Sequence, residues 1–136
     1  MSVQPYFHLV DDAIKALGVD PELCRGDKPG QWNMQRGSAS VWIDMFDIEG
    51  QGSYFQCLAP VSAVPTARRE EFLNEVLELN HKLYGVGITK FKEVVYVKVI
   101  REIEGLDINE VLASMRRIGA YADDYDDYFK NKYFPA

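Results

Sequence analysis

Ala39-Ser40-Val41-Trp42-Ile43-Asp44-Met45-Phe46-Asp47-Ile48, then Glu49-Gly50-Gln51-Gly52, then Ser53-Tyr54-Phe55-Gln56-Cys57-Leu58-Ala59, is the stretch that decides the fold. Apolar and polar positions alternate with period 2 on both sides of a Gly-rich break, which is the pattern of two antiparallel strands joined by a hairpin turn. Pro60 and Pro65 close this unit.

Outward from the hairpin the period changes to that of helices. Tyr6, Leu9, Val10, Ala13, Ile14 and Leu17 form one helical stripe over residues 3–17, with Pro5 tolerable in the first turn and Gly18 suited to a left-handed stop. Residues 18–37 are dense in Gly and Pro and read as a loop with one short extended piece at Gln31–Arg36. After the hairpin, Thr66 can cap a second helix bearing Phe72, Leu73, Val76, Leu77, Leu83 and Tyr84, with Asn80 a polar exception and Gly85 the stop. A weak strand near Val86–Phe91 and a strong one at Glu93–Arg101 follow. Asp107-Ile108-Asn109-Glu110 has the form of a capping box and opens a long helix reaching Tyr133, with Gly119 inside its apolar stripe. Helix, strands, helix, strands, helix makes an α+β class with a mostly antiparallel sheet and three helices.

Composition bounds the function. The chain has 136 residues, which fits a single domain over 1–136, and 47% hydrophobic residues, enough for a core. A net charge of −6 is a poor match for nucleic acid or an anionic membrane surface. The N-terminus lacks a secretory h-region, no stretch is long and apolar enough to span a bilayer, and Cys24 and Cys57 can form at most one disulfide. A cytoplasmic protein is the expectation.

Splitting the strong strands by parity gives two different faces. One carries Val41, Ile43, Met45, Phe55, Cys57, Ala59, Val95, Val97 and Val99 and should be core. The other mixes aromatic and polar residues, and its candidates for a partner or dimer surface are Trp42, Asp44, Phe46, Tyr54 and Tyr96. Three arrangements fit this face: the second helix lies across it, a second copy covers it, or a different polypeptide does.

Motifs for chemistry are missing. Asp123-Asp124-Tyr125-Asp126-Asp127 lacks the ligand pattern of a calcium loop and reads as a solvated helix face. His8 and His81 belong to no zinc-type pair, and Cys57 falls on the apolar face, where a thiol behaves as a small hydrophobe. Gly50-Gln51-Gly52 sits in a hairpin and lacks the context of a dinucleotide loop. No catalytic, cofactor-binding or metal-binding residue is assigned, and no cofactor is expected.

Leu79-Asn80-His81-Lys82-Leu83, Val94-Val95-Tyr96-Val97, Gly105-Leu106-Asp107 and Ala122-Asp123-Asp124-Tyr125-Asp126-Asp127 resemble the YbjN-type domain. That family is labelled as bacterial sensory transduction regulators and shares the architecture of type III secretion chaperones. The likeness covers about residues 37–133, while residues 18–37 do not align and leave the start of the first strand open. It implies the order α-β-β-β-α-β-β-α and a small intracellular protein that binds other polypeptides, often as a homodimer and without a cofactor. It supplies no catalytic residues, and gives Asn80 and residues 122–125 structural roles.

The leading reading is therefore a non-enzymatic, chaperone-like or regulatory protein-binding module, holding its partner as an added strand or in a groove. The alternative is a small-ligand-binding protein or enzyme with a site assembled only in space, using Cys57, Asp44 or His81. A third reading docks a basic partner on the acidic last helix.

Overall fold

The computed structural model describes residues 2–135. A short 3-10 turn leads into α1, Phe7–Ala16, and a second 3-10 turn covers Pro21–Cys24. Strands β1, Gln31–Arg36, β2, Ala39–Ile48, and β3, Gly52–Ala63, precede α2, Arg69–Asn80. Then come β4, Gly87–Phe91, β5, Val94–Glu102, and the 26-residue α3, Ile108–Tyr133. This is the α-β-β-β-α-β-β-α order, and the extended piece expected at Gln31–Arg36 is β1 itself.

The five strands form one antiparallel sheet in the order β1-β2-β3-β5-β4. Gly50 at φ 77 and Gly52 at φ 121 provide the backbone of the β2–β3 turn. Val41, Ile43, Met45, Phe55, Cys57, Ala59, Val95 and Val97 are buried, as the parity of the strands requires. α3 lies along this face, with Val111, Met115, Ile118, Ala122 and Phe129 buried against it. α1 packs on α3, and Asp11 ties it to the sheet by accepting hydrogen bonds from Trp32 Nε1 at 3.0 Å and Arg25 at 2.9 Å.

The end of β3 and both ends of α2 differ from the sequence reading, and so does the cap of α3. Pro60 does not close β3: the strand continues to Ala63 through a bulge between Pro60 and Ser62. Pro60 is tolerated because the β2–β3 ladder has already ended at Trp42↔Leu58. Thr66 is not the cap of α2; the position before the helix is Arg68, in the left-handed region at φ 59. α2 ends at Asn80, so Leu83 and Tyr84 lie beyond it, because the Asn80 carboxamide turns to β4. The capping box of α3 is half formed. Asp107 Oδ1 accepts from Glu110 N at 2.8 Å, but the Glu110 carboxylate pairs with Arg101. No helix among the described residues is long and apolar enough to cross a membrane.

Candidate functional site

The outer face of the sheet is built from register. Phe46 stands opposite Tyr54, Asp44 opposite Gln56 and Trp42 opposite Leu58 across β2 and β3. Gln56 then meets Ile100, Leu58 meets Lys98 and Pro60 meets Tyr96 across β3 and β5. Period-2 alternation therefore puts all five candidates, Trp42, Asp44, Phe46, Tyr54 and Tyr96, on one surface.

Two aromatic pairs organise it. Trp42 and Tyr96 reach toward each other across β3, with ring centroids 6.2 Å apart and tilted by 48°. Phe46 and Tyr54 stack at 5.9 Å. Each pair contributes about 0.5–1.5 kcal/mol beyond the area it buries. Around them Trp42 is 37% exposed, Ile100 46% and Phe91 64%. A surface of this composition that remains open to water favours a partner able to cover it.

α2 does not lie across this face. It packs on the opposite side, where Phe72 meets Phe129 at 5.0 Å and Tyr133 at 5.1 Å, both on α3. Of the three arrangements open from the sequence, the covering helix is excluded. α2 instead keeps its own uncovered stripe, with Leu77 71% exposed, and Tyr84 beyond it 76% exposed.

Asp44 is the acidic member of the face, which also carries the basic Lys98. It lines a shallow cavity of about 360 Å³ with Lys28, Gln31, Phe46 and Gln56. Burial raises its carboxyl above the ordinary value, and a hydrogen bond from Gln56 Nε2 at 3.2 Å opposes that shift. Asp44 forms no ion pair among the described residues, so its charge is available to a cation from outside.

Cys57, Asp44 and His81 do not converge. Cys57 is fully buried on the inner face, and desolvation, aided by the charge of Asp44, drives its thiol far above the ordinary value. Cys24 is also buried, and both thiols are free. His81 is exposed just past α2, and His8 Nδ1 bonds with the Pro5 carbonyl at 2.9 Å. Among the described residues no three His, Cys, Asp or Glu side chains are placed to hold a metal ion.

Two contacts went unseen in the sequence because they depend on how the elements meet in space. Asp123 Oδ1 accepts from Ser38 N at 2.9 Å and Ser38 Oγ at 2.5 Å, so part of the acidic run fastens α3 to the β1–β2 turn instead of facing only solvent. Asn80 Oδ1 accepts from Ile88 N at 2.6 Å while its Nδ2 donates to the Ile88 and Val76 carbonyls. The carboxamide thereby covers part of the outer edge of β4 as a neighbouring strand would.

Comparison with known proteins agrees with this fold. The model of the YbjN family, described as "Putative bacterial sensory transduction regulator", matches residues 8–130, including the loop that the residue-level likeness left unaligned. No curated protein matches the chain. A chain of the ExsC–ExsE complex superimposes with TM-score 0.67 and 11% identity over 93% of this chain and 96% of that one. The HopA1–SchA chaperone–effector complex gives TM-score 0.64 and 15% identity over 90% and 93%. The Yersinia pestis type III secretion chaperone SycH, solved with a stable fragment of YscM2, gives 0.62 and 13% over 88% and 98%. At these identities the likeness establishes the fold.

Proposed function

The chain belongs to the YbjN family, and from that premise we propose that it is a non-enzymatic, chaperone-like or regulatory module that holds another polypeptide on the outer face of its sheet. The observation that carries this reading is the aromatic surface of Trp42, Phe46, Tyr54 and Tyr96, with Asp44 among them, left uncovered by all three helices. Proteins of the same fold have been solved holding effector partners, as the HopA1–SchA complex is. In this reading residues 1–136 act as one domain. The two free thiols are in keeping with a reducing, cytoplasmic compartment.

Strand addition has little room on this sheet. Asn80 occupies the β4 edge at Ile88, and the segment around Arg25 covers the start of β1 through its bridge to Trp32. A partner laid across the face, with its apolar side chains between the Trp42–Tyr96 and Phe46–Tyr54 pairs, fits better than a sixth strand. The module works as a homodimer, and the stripe of α2 around Leu77 suits the second copy because it is separate from the sheet face.

The test is capture by the tagged full chain from extracts of cells that naturally express it, compared with Trp42→Ala and Tyr96→Ala. Wild type retains specific polypeptides, and each variant releases them while keeping its circular dichroism spectrum. If Trp42→Ala lowers thermal stability yet leaves both capture and self-association unchanged, the face is structural and the reading fails.

A further inference from the structure

Two arginines of this acidic protein line one cavity with no carboxylate of the described residues at ion-pair distance from either. Arg25, Arg68, Arg69 and Arg101 each pair with a carboxylate. Of the other three, Arg117 lies beside Gly85, while Arg36 and Arg116 form neither an ion pair nor a side-chain hydrogen bond among the described residues. Both line one cavity of about 290 Å³, walled also by Gln35, Gly37, Gly119 and Asp123. It lies between the end of β1 and α3, away from the aromatic face.

The fold places both guanidinium groups there. Arg36 ends β1, and the alternation that buries Trp32 and Met34 turns its side chain toward α3. A Cβ at Gly119 would stand 2.9 Å from Arg36 Cβ, 3.1 Å from Cγ and 3.6 Å from Nε. The arginine stem therefore lies on bare helix backbone. A glycine inside a helix lowers its stability, and the space it opens here is taken by a side chain whose charged end has no intramolecular partner. Arg116 is three positions earlier, on the same flank of the helix.

Asp123, four positions after Gly119, is the one carboxylate on the wall. Its Oδ1 already accepts from Ser38 N and Oγ, and it reaches neither arginine at ion-pair distance. Two guanidinium groups against one carboxylate leave the lining singly positive.

We propose that this notch binds a carboxylate presented by a polypeptide, either an Asp or Glu side chain or a chain terminus. A guanidinium fork matches the planar carboxylate, and a singly positive lining balances its charge. A phosphate at about −1.5 to −2 would leave negative charge uncompensated beside Asp123. The inference rests on the reading of the chain as a polypeptide binder and adds the chemistry of one partner group.

The test follows the full chain by ¹⁵N–¹H spectra of backbone and arginine Nε–H at pH 7 and constant ionic strength. The probes are sodium acetate, N-acetylglutamate α-amide, N-acetylglycine, sodium phosphate and sodium chloride. The carboxylates produce saturable shifts at Arg36, Gly37, Arg116 and Gly119, and chloride does not. The glutamate and glycine derivatives rank side-chain against terminal carboxylates. Arg36→Gln and Arg116→Gln each weaken binding about tenfold, the loss of one charge-assisted bond; Arg117→Gln leaves it unchanged. The proposal is overturned if chloride shifts these resonances as far as acetate does, if phosphate saturates more tightly than acetate, or if both glutamine variants bind acetate as wild type does. These probes need no partner, so capture can fail while acetate binding persists, which removes the functional reading and leaves the notch.

Discussion

Glu75 fastens α2 to α3. Its carboxylate accepts hydrogen bonds from Tyr133 Oη at 2.5 Å, from Lys132 Nζ at 3.0 Å and from the Tyr128 hydroxyl. Burial pushes its pKa up, but the bonds from Tyr128, Tyr133 and Lys132 together bring it below the ordinary 4.5. A carboxylate with a depressed folded pKa stabilises above its unfolded pKa, and that stabilisation is lost as pH falls through the folded value. Glu75→Gln should therefore cost about 1 kcal/mol at pH 7, held down by the solvent around Lys132. The gap from wild type should close as the pH drops below 4.5. Urea denaturation of both proteins from pH 7 to pH 3 measures this. A gap that stays constant with pH would show that the ionised carboxylate is not its source. The sequence marks Glu75 only as one of several acidic residues on α2, because its three donors come from the far end of the chain.

At the scale of elements, strands were easier to read than helix ends. Period-2 alternation is local, so Ala39–Ile48 and the parity of its two faces follow directly from residue order. The end of α2 is not local. Leu83 and Tyr84 continue the helical apolar pattern, yet the helix stops where Asn80 can serve the free edge of β4. The side of the sheet taken by α2 was hidden for a related reason: Phe72 and Val76 are buried, while Leu73 and Leu77 offer a second apolar stripe. The aromatic pile of Phe72, Phe129 and Tyr133 decides between them. Asn80→Ala should cost about 2 kcal/mol, since it leaves the Ile88 N–H and two carbonyls without their partner. Asn80→Asp should not restore it at pH 7, because a carboxylate would face the Val76 and Ile88 carbonyls. Thermal unfolding gives the size of the effect, and hydrogen exchange at the Ile88 amide gives its place. Unchanged protection there would mean that Asn80 does not hold the edge.

Over the whole molecule, the five face residues were legible as a set, whereas their exposure depended on where the helices went. The outcome is two uncovered apolar surfaces on different sides, the aromatic sheet face and the outer stripe of α2. Leu73 and Leu77 line a cavity of about 540 Å³ with Glu70, Glu71 and Asn74. If the stripe holds a second copy, its contacts are isologous, so Leu77 meets the same patch on its mate and one substitution acts twice. Leu77→Glu then places two carboxylates in an apolar contact, a change that a stable interface of about 1,200 Å² or more does not tolerate. Light scattering after size exclusion should give wild type at twice the mass of one chain and Leu77→Glu at the mass of one. Trp42→Ala should remain dimeric while losing its partner. A monomeric wild type, or a Leu77→Glu protein still dimeric, removes α2 as the dimer surface. If Trp42→Ala alone becomes monomeric, the second copy occupies the sheet face, and no aromatic surface remains free for another polypeptide. Because the two faces are separate, these variants separate self-association from partner binding, as a single shared surface would not allow.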